Sequence, residues 1–529
     1  MEKVLVANRG EIALRVFRAA RALGLGTVAV AGPGDEGALH TRDADETVVI
    51  SSYLDREEHV RAARETGADT IHPGYGFLAE NGDFADAVEA AGLTGVGPPP
   101  AALRAGGDKL AAKRIAAEAG VPTIPETDAP PLIVKAAAGG GGRGMRIVRD
   151  PAGLDEALES ARREAKAAFG DDRVYLERYL ERPRHVEIQL LADAHGTVLA
   201  LGERDCSVQR RHQKVLEESP SPAVDPTLRA ELGEAAVRFA RAIGYVGAGT
   251  AEFVLDGRDF YFLELNARIQ VEHPVTELVT GIDLVQWQLR IARGEPLDPA
   301  CNSLLQGHAV EARLYAEDPR TFLPQAGRVE TLRLPGGIRV DAGIAAGDEI
   351  PTAYDPMIAK LIAHGATRAE ALDRLAAALA ETEVGGVVTN LPFLRWLVAH
   401  PVVRAGEATT AFLTEHPPLS APPPRFPDPV WRGAFRLNLP PPPLAAPPEL
   451  AALDHGAEAS GTLVAPMPGT VIKVTAEPGA RVRAHDPLLV LEAMKMETPL
   501  AAPFDGTVRA VHVREGEHVD RGAILVELD

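Results

Sequence analysis

The sequence predicts an α/β N-terminal domain, a mixed α+β middle region and a small all-β domain at the C-terminal end. Three observations predict it. From Val4 to about Val96, apolar runs of strand length alternate with helical patterns, which indicates a mainly parallel sheet. Between Pro417 and Pro448 there are 13 prolines in 32 residues, a shift of composition that separates two bodies. Beyond it the chain repeats: Gly469-Thr470-Val471 recurs 37 residues later as Gly506-Thr507-Val508.

Taken in order, Val4 to Ala7 is a short apolar run of the kind a buried strand shows. Asn8-Arg9-Gly10 punctuates it. Ile12, Val16, Ala20 and Leu23 then recur on one helical face, up to a stop at Gly24. Thr27 to Val30 reads as a second strand, and the alternation runs to the Pro98-Pro99-Pro100 turn. No G-x-G-x-x-G follows the first strand, so the dinucleotide fingerprint is missing. Asp108 to Gly307 mixes strands and helices and holds most of the unusual polar clusters. A further region reaching His416 includes an amphipathic helix near Ala369 to Leu379. The Pro-rich stretch lacks backbone donors and favours extended geometry, so it reads as a semi-rigid linker with an apolar island at Trp431 to Leu439. In the tail, Gly479 matches Gly516 and Val482 matches Val519 at the same offset, as two copies of one β unit would. Lys495 lies in the hairpin-like joint between them. The expected divisions are 1–107, 108–308, 309–416, 417–460 and 461–529.

Composition narrows the function. The 529 residues accommodate roughly three to four domains of about 150 residues, each able to bury a core. Hydrophobic residues at 46% and charged residues at 25% give a soluble globular profile. The formal charge of −20 argues against a nucleic-acid binder, while leaving room for local basic pockets around phosphates. Two cysteines, Cys206 and Cys301, exclude a disulfide scaffold and a Cys-based zinc site, and suit a reducing, cytoplasmic location. No apolar run approaches the ~20 residues that span a bilayer. The opening MEKVLVANRGE reads as a first strand rather than a signal peptide.

Three motifs carry chemistry. A lysine in a turn is ordinarily a solvated charge. In Glu492-Ala493-Met494-Lys495-Met496-Glu497, however, long apolar side chains flank it, and exposed apolar groups at a turn signal recognition. A strand, Pro131 to Lys135, feeds a run of glycines, among them Gly141 and Gly142, where backbone N–H groups can approach phosphates closely. It is not a Walker A loop, because no Gly-Lys-Ser/Thr follows. In Phe262 to Pro274, read as extended chain, Leu263, Leu265, Ala267, Ile269 and Val271 fall on one face. Glu264, Asn266, Arg268, Gln270 and Glu272 fall on the other. With Glu252 upstream on another strand-like run, Glu252, Glu264 and Asn266 offer hard oxygen ligands suited to Mg²⁺ on nucleotide phosphates.

Four runs then resemble biotin carboxylase: Val4 to Ala13, His72 to Asn81, Glu203 to Lys214 and Arg268 to Thr276. The match covers about residues 1–416. The hexapeptide around Lys495 and its repeat resemble a biotinyl domain over 461–529, and only the related lipoyl domains compete. Together they resemble the α subunit of an acyl-CoA carboxylase. The resemblance implies an N-terminal domain, an ATP-grasp domain, a C-terminal carboxylase domain and a carrier. It implies biotin on Lys495, attached by a biotin protein ligase, with ATP, Mg²⁺ (or Mn²⁺) and bicarbonate. Lys109, Lys135, Gly141 and Gly142 would hold ATP phosphates. Glu177, Arg178 and Leu180 would meet adenine, largely through backbone, and His185, Gln209 and His212 would face ribose and phosphates. Glu252, Glu264 and Asn266 would bind the metal. Arg268, Lys214 and the Val271 backbone would bind bicarbonate, Glu272 would be the base, and Arg313 would steady the biotin enolate.

The resemblance further implies carboxybiotin supplied to a separate carboxyltransferase β subunit, and a homo-oligomer formed through the carboxylase region. Pyruvate or urea as acceptor, a non-catalytic biotin carrier, and an ATP-grasp ligase bearing a lipoyl domain are the alternatives. The sequence departs from the family in two places. Lys109 and Lys135 stand closer than usual, which would trim a helix packed on the ATP lid. The bridging domain before the carrier is reduced to a stretch around Trp431 to Asn438.

Overall fold

In the computed structural model, the described residues are 1–137, 145–210, 213–298, 305–420, 461–493 and 496–529. The Pro-rich stretch from 421 onward, with its island at Trp431, lies outside them, as do Cys301 and the glycine run.

Lys3–Val6 forms the centre of a five-stranded parallel sheet, flanked by Gly26–Ala31 and Glu46–Val49 on one side and by Thr70–His72 and Thr94–Gly95 on the other. Parallel strands covered on both faces read as continuous apolar runs. Accordingly Val4 and Val6 pack with Ile12 and Val16 of the helix Gly10–Ala22, while Leu5 packs with Val28, Val30 and Ile71 on the opposite face.

The middle of the molecule is an eight-stranded sheet. Its order is Asp259–Asn266, Gly247–Asp256, Arg184–Ala192, Val198–Arg210, Gln213–Ser219, His308–Tyr315, Met357–Gly365, Arg339–Ala342. Every neighbouring pair is antiparallel. The sheet continues across residue 308, because Gln213–Ser219 pairs with His308–Tyr315. Behind Met357–Gly365 lies the helix Arg368–Glu381, where the sequence places one. Thr367 caps it by accepting the Glu370 N–H at 3.3 Å, and Leu372, Leu375 and Leu379 are buried.

A three-stranded antiparallel sheet of Arg146–Val148, Leu132–Ala136 and Val174–Arg178 stands over this sheet, covered by the helix Leu154–Phe169. The short Lys109–Lys135 spacing shows here. After the helix Lys109–Glu118 no second helix precedes Leu132, and the buried core of the small sheet is Leu132, Val134, Val148 and Ala161.

Residues 461–529 fold as two four-stranded sheets. One holds Thr462–Val464, Ile524–Leu528, Gly506–Val511 and Arg481–Val482. The other holds Met496–Ala501, Pro487–Ala493, Gly469–Val474 and His518–Val519. Each repeat lends one short strand to the other's sheet: Arg481–Val482 pairs with Gly506–Val511, and His518–Val519 pairs with Gly469–Val474. The repeat seen in sequence is therefore a pseudo-twofold exchange. Leu323, from a loop of the larger body, joins the apolar cluster of this domain. Among the described residues no helix is long and apolar enough to cross a membrane.

Candidate active site

Strand register assembles the site. Across three strands Glu264 stands opposite Glu252, and Glu252 opposite Glu187. Glu187 in turn faces Arg204 on the next strand. One pair further along, Asn266 opposes Thr250 and Thr250 opposes Gln189. Directly opposed residues share a face, so three carboxylates lie in one row.

Like charges in a row require cations. Lys109 Nζ lies 3.1 Å from Glu264. Lys214 Nζ reaches Glu252 at 2.8 Å and Glu272 at 2.6 Å, and also bonds Glu187. Arg204 is fully buried and spends every donor: Nε on Glu187, Nη1 on Gln189 and Thr276, Nη2 on Thr250 and Gln270. His185 Nε2 lies 3.1 Å from Glu252. Burial pushes its pKa down, but Glu252 and Glu187 more than offset this and raise it to about 9. Burial pushes Glu252 and Glu272 up; Lys214, with His185 for the first and Arg313 for the second, holds both carboxyls below their ordinary range. Both are ionised at neutral pH.

The strand pairing of Phe262 to Pro274 ends at Asn266, and its register already shifts beside Leu263, which was expected on the core face and lines the cavity. Beyond Asn266 an irregular stretch follows, and the helix His273–Thr280 begins with Glu272 as its N-cap. Sheet pairing therefore does not set the later residues, yet Ala267 and Ile269 are buried and Arg268, Gln270 and Glu272 line the cavity, as alternation predicts. Val271, expected on the core face, lines the cavity and gives its carbonyl to Lys360 Nζ at 2.9 Å. Arg268 is held from outside the segment: Glu80 accepts its Nε at 3.0 Å and the Ala267 N–H at 3.0 Å, while Arg268 Nη2 donates to Asn266 at 2.8 Å. Asn266 Nδ2 donates to Glu252 at 2.8 Å. Glu272 sits between two cations, since Arg313 Nη2 donates to its second oxygen at 3.0 Å.

These groups line a cavity of about 720 Å³. Of the residues singled out from sequence, Lys109, Lys135, His185, Gln209, Lys214, Glu252, Glu264, Asn266, Arg268, Val271, Glu272 and Arg313 are on its wall. Glu177, Arg178 and Leu180 are not. Glu177 instead accepts from Lys135 at 2.7 Å and Lys113 at 3.0 Å, and Arg178 donates to Tyr261. Gly141, Gly142, His212 and Lys495 lie outside the described residues. The flanking strands of the hairpin at 487–501 are described, and their last pair is Ala493 with Met496.

Sequence reasoning missed Glu187, Arg204 and Glu80. For Glu187 a signal was present, because His185, Glu187 and Gln189 alternate with apolar residues along one strand. Cys206 is fully buried and burial raises its thiol pKa, as a small apolar filler requires. His72 accepts the Gly74 N–H at 3.0 Å and shapes a turn, whereas Tyr75 reaches the cavity and donates to Glu11 at 2.5 Å.

The wall divides chemically. Glu252, Glu264 and Asn266 present hard oxygen donors beside Lys109 and Lys135, an arrangement that fits a divalent cation and nucleotide phosphates. The ligand atoms of His185, Glu187 and Glu252 also lie within 4.8 Å of one another. Next to that set, linked to Glu252 through Lys214, lies an ionised carboxylate, Glu272, between two cations.

Comparison with known proteins places the chain in a family. Family models for the biotin carboxylase N-terminal domain, the carbamoyl-phosphate synthase L chain ATP binding domain and the biotin carboxylase C-terminal domain match residues 1–103, 111–300 and 311–415. A model described as biotin-requiring enzyme matches 461–528. A biotin carboxylase from Haemophilus influenzae is 50% identical over 74% of this chain and 93% of its own length. A mitochondrial methylcrotonoyl-CoA carboxylase subunit alpha from Arabidopsis thaliana is 48% identical over 79% of this chain, and the match spans 61% of that longer protein. The biotin carboxylase domain dimer of Hydrogenobacter thermophilus 2-oxoglutarate carboxylase, solved with MgADP, ADP and bicarbonate, superposes with a TM-score of 0.77. It is 44% identical and covers 79% of this chain and 98% of its own.

Proposed function

The chain belongs to the biotin carboxylase family, and on that premise we propose that it carboxylates biotin held on its own C-terminal domain, using ATP and bicarbonate. It then passes the carboxyl group to a separate carboxyltransferase subunit acting on an acyl-CoA. The observation that carries this reading is Glu272, ionised and clamped between Lys214 and Arg313, with Lys214 also reaching Glu252 of the Glu252, Glu264 and Asn266 donor set in the same cavity.

Bicarbonate is a poor electrophile until an oxygen is phosphorylated. That oxygen attacks the γ-phosphorus, ADP leaves, and the resulting carboxyphosphate breaks its C–O bond to give phosphate and CO₂ in the closed site, where the deprotonated ureido nitrogen attacks the CO₂ carbon. Positioning and charge stabilisation dominate such transfer. Lys109 and Lys135, with Gly141 and Gly142, hold the phosphates; His185, Gln209 and His212 face the ribose side, and Glu177, Arg178 and Leu180 meet adenine through backbone. Glu252, Glu264 and Asn266 would hold Mg²⁺, which would supply positive charge against the charge that develops on the phosphates. Arg268, Lys214 and the Val271 backbone orient bicarbonate. Glu272 takes up the proton that the ureido nitrogen must lose, and Arg313 offers its guanidinium to the charge left on the ureido oxygen. Biotin on Lys495 carries the carboxyl group.

In this division residues 1–107, 108–308 and 309–416 form the carboxylase, 417–460 the tether and 461–529 the carrier. The tether is too short and too Pro-rich to build a CoA pocket with its own core. The dimer of the Hydrogenobacter domain supports a homo-oligomer here. The acyl-CoA acceptor is supported by the methylcrotonoyl-CoA relative, and a keto acid by the 2-oxoglutarate one.

The purified chain should show bicarbonate-dependent ATP turnover and carboxylate free biotin. It should carboxylate acyl-CoA, pyruvate, 2-oxoglutarate or urea only with a second protein added. ATP turnover indifferent to bicarbonate would sink the first half of the reading, and acyl-CoA carboxylation by this chain alone would sink the second.

A further inference from the structure

Beneath Arg313 the eight-stranded sheet buries two carboxyl groups that the chemistry above does not use. Glu217 and Glu311 are directly opposed across the strands Gln213–Ser219 and His308–Tyr315, and both are fully buried. Arg313 lies two residues beyond Glu311, hence on the same face. Lys360 stands opposite Arg313 on the next strand. The helix His273–Thr280 closes that face, where Val275 and Val279 pack with Ala309 and Ile362. Ile362 is the residue opposite Glu311.

The cations that face Glu311 are committed elsewhere. Arg313 gives Nε to Glu217 at 2.6 Å and Nη2 to Glu272 at 3.0 Å. Lys360 gives Nζ to the Val271 carbonyl at 2.9 Å and lies 3.1 Å from Glu11 and 3.9 Å from Asp341. Neither oxygen of Glu311 has a hydrogen-bond partner, and one oxygen of Glu217 has none. An ionised carboxylate so placed would be a buried charge without a donor, which burial neutralises. A like charge directly across the strand pair adds to its cost.

We propose that Glu217 and Glu311 hold one proton between them, carried on Glu311, and that Glu311 is thereby a positioning residue for Arg313. With Glu311 neutral, the single negative charge of the pair stays on Glu217 against Arg313 Nε. The Nη2 edge then stays turned to Glu272 and the cavity. Loss of the proton places a second negative charge under the guanidinium and draws it back.

The electrostatics point the same way. Burial raises Glu311 well above the usual carboxylate range, and Lys360 and Arg313 offset this only in part while Glu217 and Glu272 add to it. Burial raises Glu217 to about 7 against the pull of Arg313.

The positioning role rests on the carboxylation reading, whereas the shared proton does not, and two readouts separate them. In infrared difference spectra of the full chain at neutral pH, wild type should show a protonated-carboxyl band that Glu311→Gln removes. If the substitution removes no such band, the proton assignment is overturned. In biotin carboxylation, wild-type kcat should fall as alkaline pH strips Glu311 of its proton. Glu311→Gln, which has no proton to lose, should hold its kcat over that range, with KM for ATP unchanged. Glu217→Gln should lower kcat/KM for biotin on the order of tenfold at every pH, because Arg313 Nε loses its charged acceptor. Superimposable pH profiles for wild type and Glu311→Gln would overturn the positioning role. A wild type that carboxylates no biotin would remove that role together with the carboxylation reading, and the infrared result would stand alone.

Discussion

The carboxylase body and the carrier domain use burial in opposite ways. Around the cavity the body encloses ionised groups: Arg204, Glu187, Glu252, Glu272 and Arg313 are all buried, each with a counter-charge. In 461–529 the buried side chains among the described residues are apolar, with Val471, Leu489, Leu491, Leu525 and Val526 at the centre. Removing charge from water costs several kcal/mol per ion, and an apolar core of the same volume is often more stable. The body keeps its charges because phosphoryl and carboxyl transfer need preorganised dipoles in a dry site. The carrier has only to hold a short hairpin rigid, and an apolar core suffices.

The sharpest way to break this comparison is at the carrier's one chemical group. Lys495→Arg should abolish avidin reactivity after co-expression with biotin ligase, an all-or-none effect, while the domain melts as before. Avidin binding that survived the change would remove Lys495 from its role. Next in size, Glu272→Gln should slow biotin carboxylation by ~10²–10⁴-fold, the usual cost of losing a general base, with ATP affinity retained. Glu264→Gln should instead weaken Mg²⁺-nucleotide affinity, measured by titration calorimetry.

Arg204→Met tests the body's charge burial directly. It strands Glu187 with one counter-ion fewer and should destabilise the body by about 3–5 kcal/mol. In urea denaturation the body's transition should move and the carrier's should not; a shift of both would mean that the two unfold as one.

The smallest effect is a pH dependence confined to the body. Burial lowers His72 and His40 to about 4, the first aided by Arg15 and the second by Arg9, with Gln288 and Asp35 opposing. Their folded pKa lies below the unfolded value near 6.5, so the unfolded chain takes up protons first as pH falls. Stability is full above about 6.5 and drains toward 4, by roughly 1 kcal/mol per histidine at pH 5.5. Thermal melts should show the body's transition falling over that window, and His40→Gln or His72→Gln should flatten the fall.

Much of the fold was legible because its signals are local. The helix Gly10–Ala22, the strand Lys3–Val6 and the 37-residue repeat follow from periods of 3.6, from short apolar runs and from matching glycines. Alternation likewise placed Glu264 and Asn266 on one face, since side-chain direction in a strand depends only on the two-residue period. It failed at Leu263, where the pairing register shifts, and at Val271, after the chain has left the sheet to enter the helix His273–Thr280; both line the cavity. Pro274, in the first turn of that helix, was a sign of that start.

Sequence alone thus determined which residues carry charge, which strands carry them and which lysine stands between two methionines. Only the tertiary structure decided which charge faces which. Glu264, Glu252, Glu187 and Arg204 come from four strands, and Glu217 meets Glu311 across 94 residues of chain. Such partnerships depend on strand register, and a slip of one residue would turn every one of these side chains to the other face. Register is set by how whole strands pack and pair, which no local pattern encodes.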